Sequence, residues 1–268
     1  MKPLANRTAI VTGTSPNIGG ALARGLAAAG ARVVCTDITE SSAHHCADTI
    51  TAEGGQAVAV VGDVTDPRHA DDAVARAVDT WGGGVDILVN NAVWFRQRGL
   101  LDMAYDDYRR QLDVILGGAF LFTRAAARSM IERGTGGSVI NVLSTAAWQG
   151  QPGNIGYCTG KSGLVNFTRS VAMELAPHGI RVNGFTPTAT QAVDPETLAN
   201  QRARKAESSP FDMDFAGLMP WSRLPTAADY VPTVVFLASD DSALITGTNI
   251  TVDGGATAKY WPWVPAKA

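Results

Sequence analysis

A doubly wound α/β fold on one parallel sheet is the architecture this sequence predicts, and three observations carry it. Short, β-branched apolar runs alternate along the chain with longer stretches of helical periodicity. Those runs are nearly unbroken in apolar residues, as expected of strands covered on both faces. No repeat or linker divides the 268 residues, and the Gly82-Gly83-Gly84 run is too short to separate domains, so residues 1–268 read as one domain.

In chain order, the strands expected are Thr8 to Val11, Arg32 to Thr36, Ala57 to Val61, Ile87 to Val89, Ser138 to Leu143, Arg181 to Phe185 and Asn249 to Val252. Between them the periodicity predicts helices over Ile18 to Ala29, Ser41 to Glu53, Pro67 to Trp81, Tyr105 to Arg133, Tyr157 to Ala176 and Ala227 to Leu237. The helix from Tyr157 carries Leu164, Phe167, Val171 and Leu175, a spacing that gives one buried stripe. Thr226 is the candidate N-cap of the last helix. Repeated β-α-β units imply a parallel, doubly wound sheet, which binds ligands outside the carboxyl ends of its strands.

Composition excludes several classes of function. A formal net charge of -3 without Lys/Arg blocks argues against nucleic acid or an anionic membrane as partner. The stretch from Met1 to Asn6 lacks the apolar core of a signal peptide, and no run of about 18 apolar residues is visible, so a soluble, cytoplasmic protein is expected. Three cysteines, Cys35, Cys46 and Cys158, show no pairing pattern, and the four histidines have no ligand spacing with them, so no metal is expected. His44 and His45 diverge by about 100° on a helix and read as surface residues. Cys158 reads more readily as a small packing residue than as a reactive thiol.

Two groups of residues carry chemistry. Tyr157 and Lys161 share a helix face. A phenol titrates near ~10, and an ammonium beside it favours the phenolate, which makes Tyr157 a candidate general acid/base, with Ser144 upstream as a hydroxyl partner. The second group begins at Thr12-Gly13-Thr14-Ser15-Pro16-Asn17-Ile18-Gly19, which leaves the first strand and opens the first helix. Free N–H groups and the helix dipole there favour a pyrophosphate. Asp37, at the end of the second strand, can accept hydrogen bonds from ribose hydroxyls and would repel a 2′-phosphate, so NAD is expected over NADP. Asp63 and Asn90, at the next two strand ends, stand where adenine and ribose would lie.

Taken together, these residues resemble the short-chain dehydrogenase/reductase family over nearly the whole chain, Thr8 to Gly255. The likeness rests on Thr12-Gly13 with Ile18-Gly19, Asp63-Val64, Asn90-Asn91-Ala92, Ser144, Tyr157 with Lys161, Arg181-Val182-Asn183, Pro187 and Val252-Asp253-Gly254-Gly255. It implies a Rossmann fold and reversible hydride transfer between a secondary alcohol or ketone and NAD. In that scheme Tyr157 exchanges the substrate proton, Ser144 holds the substrate oxygen, and Lys161 binds nicotinamide ribose and lowers the tyrosine pKa. The implied cofactor contacts are Gly13, Ser15, Asn17, Ile18, Gly19, Asp37, Asp63, Val64, Asn90, Ala92, Tyr157, Lys161, Pro187, Thr188 and Thr190. A homo-oligomer, dimer or tetramer, is also implied.

The sequence departs from the family's pattern at several places. Asn17 stands where glycine is usual, and asparagine tolerates a left-handed backbone best. Val93 and Thr188 also replace glycines, adding side chains around the nicotinamide. Ile115 stands where asparagine commonly supports a water-mediated proton relay to the lysine, and its side chain cannot hydrogen-bond. A dinucleotide-binding subunit with weak turnover, regulatory or scaffolding, is therefore the rival reading. From residue 188 to 221 the periodic pattern lapses and Phe211, Met213, Phe215, Leu218, Met219 and Trp221 cluster, either as a lid over the substrate or as a loop completing the core. Trp94, Phe95, Trp148, Phe211 and Trp221 are the expected pocket side chains, and they fit a bulky, mostly apolar, cyclic alcohol or ketone. The apolar tail at 256–268 is expected to pack on a neighbouring subunit.

Overall fold

The computed structural model describes residues 2–192, 217, 219–221 and 223–259. Its first half runs β1 (Thr8–Thr12), α1 (Ile18–Ala28), β2 (Arg32–Asp37), α2 (Glu40–Ala52), β3 (Gln56–Val61), α3 (Pro67–Trp81) and β4 (Ile87–Asn90). The second half runs α4 (Tyr105–Leu112), a π turn (Asp113–Gly117), α5 (Gly118–Arg133), β5 (Gly137–Val142), α6 (Ile155–Leu175), β6 (Ile180–Pro187), α7 (Val231–Ala238) and β7 (Asn249–Val252). The strands form one seven-stranded sheet in the order β3-β2-β1-β4-β5-β6-β7. Every pairing is parallel.

Alternation along each strand divides the core into two layers. Ala9, Val11, Val33 and Cys35 point to the face covered by α1, α2 and α7, where they meet Leu22, Leu26, Ile50, Val234 and Leu237. Ile10 and Val34 point the other way, to Ala73, Phe122, Ala126 and Met130 of α3 and α5. Burial on both faces is the physical reason the strands read as unbroken apolar runs.

The expected strands are all present, with ends shifted by a residue or two. The stretch expected as one helix over Tyr105 to Arg133 is continuous but changes register at the π turn, where the Gly118 N–H bonds to the Asp113 carbonyl. It holds an 18-residue window of mean hydropathy 1.3, of which 56% is buried within the protein, as befits a core helix. The last helix starts as a 3-10 turn, Ala227–Tyr230, and Thr226 caps it reciprocally with Asp229. The segment at 193–216, with Phe211, and the tail at 260–268 lie outside the described residues.

At β1 and β4 the strand order reverses. Chains leaving these neighbouring strands turn apart and open a crevice at the carboxyl edge of the sheet.

Candidate active site

Strand β1 delivers Thr12 and Gly13 to the crevice. Gly13 has φ +71°, a left-handed value that side chains rarely adopt, and a Cβ there would stand 2.8 Å from Ala92 Cα. A Cβ on Gly19 would collide with the Gly13 carbonyl, so the turn and the first turn of α1 close on each other only with glycine at both places. Asn91 braces the same turn, its Nδ2 donating to the carbonyls of Thr12 at 3.1 Å and Gly13 at 2.7 Å. Asn17 needs no left-handed backbone: its φ is -151°, so the reason expected for asparagine at that position does not hold.

Beside this turn runs a cleft of about 330 Å³. Its lining includes Gly13, Ser15, Asp37, Asp63, Val64 and Ala92 from the expected set. Asp37 is buried, and its Oδ1 accepts from the Thr39 N–H at 2.9 Å. Burial pushes its carboxyl above the ordinary value, against the pull of the N–H groups of Thr39 and Ser15. Burial acts on Asp63 in the same sense, but the Thr65 N–H and the Arg110 guanidinium outweigh it and hold the carboxyl below its usual range. Arg110, whose Nη2 donates to Asp63 Oδ2 at 2.5 Å, also lines the cleft; only the fold shows that α4 reaches this far. A glycine-tight turn, a helix start and a buried carboxylate on one cleft are the parts that a dinucleotide site needs.

Asn90 does not face this cleft. Successive strand residues point to opposite faces, so Asn91 meets the phosphate turn while Asn90 points into the protein, where its Nδ2 donates to Asn141 Oδ1 at 2.8 Å and Thr123 Oγ1 at 3.0 Å. Pro187 ends β6 and Thr188 and Thr190 follow it, all outside the lining of the cleft. Thr188 Oγ1 lies 3.4 Å from Thr145 Oγ1, and Thr190 Oγ1 lies 2.8 Å from the buried Tyr230 hydroxyl. Ile18 opens α1.

The catalytic candidates meet where β5 ends and α6 begins. Ser144 starts a short 3-10 turn, and its Oγ accepts from the Ala146 N–H at 3.1 Å, which leaves its proton free to be donated. Ser162 Oγ donates to the Ala147 carbonyl at 2.6 Å and so ties this turn to α6. Tyr157 is partly buried, its ring edge-on to Phe95 with centroids 5.0 Å apart. Burial pushes its phenol above the ordinary value, and the Ser144 hydroxyl pulls it back.

Lys161 behaves differently from expectation. It is buried, its Nζ donates to the Val142 carbonyl at 2.5 Å, and that nitrogen lies 5.7 Å from the Tyr157 ring centroid. Burial brings its own pKa down to about 7. The phenol itself is set by burial and by the Ser144 hydroxyl, and with burial dominant Tyr157 is a protonated acid at neutral pH.

Glycines on α6 set this geometry, a role that nothing in their spacing marks. A Cβ on Gly160 would stand 2.9 Å from Ile115 Cδ1, and one on Gly163 would stand 3.1 Å from Leu116 Cδ1. The long helix therefore packs close under Tyr157 and Lys161, with Ile115 filling the space that Gly160 leaves. Next to Lys161 is a small cavity of about 10 Å³, lined also by Thr12, Asn90 and Ile115. Asn90 Oδ1 is buried without a partner. Its orientation follows from its neighbours: Thr168 donates to the Leu164 carbonyl and accepts from Asn141 Nδ2, so Asn141 Oδ1 must accept and Asn90 must donate to it. The space is about that of one water.

The expected pocket tryptophans do not share a cavity. Trp94 lines the dinucleotide cleft. Trp148 turns outward from its 3-10 turn onto α6 and lines a separate cavity of about 490 Å³ with Val165, Arg169 and Asn249. Trp221 is exposed and packs by Gly254 and Arg223. Among the described residues, no cluster of His, Cys, Asp and Glu could hold a metal.

The family model described as Enoyl-(Acyl carrier protein) reductase matches residues 13–257. An L-rhamnose 1-dehydrogenase (NAD(P)(+)) of Sphingomonas sp. (strain SKA58) is 38% identical over 257 residues, covering 95% of this chain and 98% of the relative. A short-chain type dehydrogenase/reductase from Mycobacterium marinum superposes with TM-score 0.83 at 31% identity, covering 96% of this chain and 97% of the other. A gluconate 5-dehydrogenase from Burkholderia cenocepacia J2315, in complex with NADP and tartrate, gives TM-score 0.83 at 31% identity, with 96% and 97% covered. The chain belongs to the short-chain dehydrogenase/reductase family of oxidoreductases.

Proposed function

We propose that this oxidoreductase interconverts a secondary alcohol and a ketone with NAD as its cofactor, using Ser144, Tyr157 and Lys161. The observation that carries the reading is their convergence at the carboxyl end of β5, beside a glycine-tight phosphate turn. The dinucleotide, when bound, takes or supplies the hydride. Ser144 offers a hydroxyl proton to the substrate oxygen, and Tyr157 moves the proton at that oxygen. Reduction needs the neutral phenol, which burial favours. Oxidation needs the phenolate, so its rate is expected to rise with pH.

Asp37 supports NAD over NADP, because a 2′-phosphate would bring its charge against a buried carboxylate. The relatives named for NAD(P)(+) and solved with NADP make this the point to measure first. A cyclic substrate with one apolar face suits the Phe95 ring beside Tyr157. Relatives named for rhamnose and gluconate favour a polyhydroxylated substrate. Cytoplasmic operation as a dimer or tetramer completes the reading, supported by the apolar side chains of Phe120 and Met173 that α5 and α6 leave exposed. The alternative, a dinucleotide-binding subunit with little turnover, would require that Ile115 interrupt proton exchange. A screen of cyclic alcohols, sugars and polyols with NAD and with NADP, followed by absorbance of the reduced cofactor, separates these readings. Binding of NAD without turnover on any of them would leave only the alternative.

A further inference from the structure

The structure brings together two thiols that sequence spacing did not pair. Cys35 on β2 and Cys46 on α2 are both buried, with Sγ atoms 3.4 Å apart. Both belong to the dinucleotide side of the fold. Cys35 lies two residues before Asp37, whose Oδ1 is held by the Thr39 N–H leading into α2. Cys46 lies one turn after Ser42, which lines the cleft together with Thr39. The buried Thr14 hydroxyl, within the phosphate turn, faces the Cys46 sulfur. Neither thiol has a part in the chemistry proposed above.

We propose that Cys35 and Cys46 form a reversible thiol–disulfide site whose closure weakens dinucleotide binding; the second half of this rests on reading the cleft as a dinucleotide site. The pair is chemically unequal. The Cys35 S–H donates to the Cys46 sulfur, which holds the Cys46 thiol below its ordinary value, with the Thr14 hydroxyl and the Arg24 guanidinium acting in the same sense, and pushes Cys35 up. Cys46, which keeps a trace of exposure where Cys35 has none and has the Thr14 hydroxyl and the Arg24 guanidinium beside it, takes the part of nucleophile and Cys35 that of resolving thiol. With hydrogen peroxide as the oxidant, the Cys46 thiolate attacks one peroxide oxygen, the O–O bond breaks and a sulfenic acid forms with loss of water. Cys35 then attacks the Cys46 sulfur and expels the second water. Two thiols lose two protons and two electrons, and peroxide becomes two waters. Closing the sulfur separation from 3.4 Å to a bond of about 2.05 Å draws α2 towards β2 and shifts Thr39 and Ser42 at the cleft edge.

The test uses the full chain, reduced, then treated with hydrogen peroxide and quenched with catalase. Non-reducing peptide mapping reports the bond, and titration calorimetry with NAD reports affinity before oxidation, after it, and after dithiothreitol. The expected result is one cross-link joining the Cys35 and Cys46 peptides, with the Kd for NAD raised at least about threefold. Dithiothreitol should reverse both effects, and neither should appear in Cys46→Ala or, should that variant fold poorly, in Cys35→Ala. Oxidation confined to Cys158, or a cross-linked protein that binds NAD as tightly as the reduced one, overturns the proposal. A reduced protein that binds neither NAD nor NADP refutes the cleft assignment and with it the effect on binding, while the peptide map still decides separately whether the bond forms.

Discussion

The cleft along the carboxyl ends of the strands and the tryptophans expected to line a substrate pocket are positioned in different ways. In the cleft, Gly13, Asp37, Asp63 and Ala92 each stand within a few residues of a strand end, and parallel register holds those ends level. Trp94, Trp148 and Trp221 instead lie off the strand ends and come to rest beside three separate cavities, Trp94 beside this same cleft. A residue tied to a strand end has its position dictated by hydrogen-bond register, whereas a loop residue has it dictated by packing several elements away. The contrast predicts that substitutions at strand and helix ends will act on chemistry or cofactor directly and with large effect.

The largest effect is expected at Tyr157, which the first turn of α6 sets beside Ser144. Tyr157→Phe keeps the ring packed on Phe95 and removes the exchangeable proton. Turnover should fall at least about a hundredfold with NAD affinity little changed. Steady-state kinetics and a binding titration check this, and near-normal turnover would remove Tyr157 as the acid/base.

Lys161 comes next, through stability. Its folded pKa of about 7 lies below the ordinary lysine value of 10.5, so between these values the unfolded chain binds more protons and wild-type stability should rise with pH. Lys161→Met abolishes that slope. The cofactor-free variant should exceed wild type by roughly 1–3 kcal/mol below about pH 7, the gain fading as pH rises, while losing activity. Urea melts across this range would show parallel curves if the lysine were not buried as described.

A tenfold effect is expected at Asp37. Asp37→Ala removes a buried carboxylate from the ribose end, and the preference for NAD over NADP should narrow by on the order of tenfold. The ratio of kcat/KM for the two cofactors measures it. A wild type that already prefers NADP would overturn Asp37 as the determinant of cofactor choice.

Much of the fold and site was legible in the sequence, for physical reasons particular to certain residues. Val33, Val34 and Cys35 announce a strand buried on both faces, and Thr226 announces a helix start, since these patterns are local. Tyr157 and Lys161 share a helix face by spacing alone, but their electrostatics do not follow from spacing. Burial brings the Lys161 pKa down to about 7, a consequence of the packing around it that its place in the sequence does not announce. Asn90 and Asn91 are adjacent and alike in sequence, yet pleating sends one to the phosphate turn and the other into the core. Arg110 and the Cys35–Cys46 pair join elements distant or offset in the chain, and no periodicity marks such meetings.

The smallest effect on rate is expected at Ile115, where departure from the family's pattern alone suggests a defect. Ile115 packs with Ala119, Leu143, Ala147 and Leu164, and its Cδ1 occupies the place where a Gly160 side chain would be. The two positions are matched in volume. The adjoining cavity beside Lys161 already has a hydrogen-bond acceptor, Asn90 Oδ1, so a water there has a holder without an amide at position 115. Ile115→Asn should therefore leave turnover and its solvent deuterium isotope effect nearly unchanged. It should cost about 1–3 kcal/mol in stability, because an amide is then buried among apolar neighbours and no methyl group packs against Gly160. Kinetics in H2O and D2O beside thermal melts of the same preparation decide the matter. A folded Ile115→Asn variant that turns over several times faster would show that Asn90 does not serve as the holder, and that the isoleucine interrupts proton exchange after all.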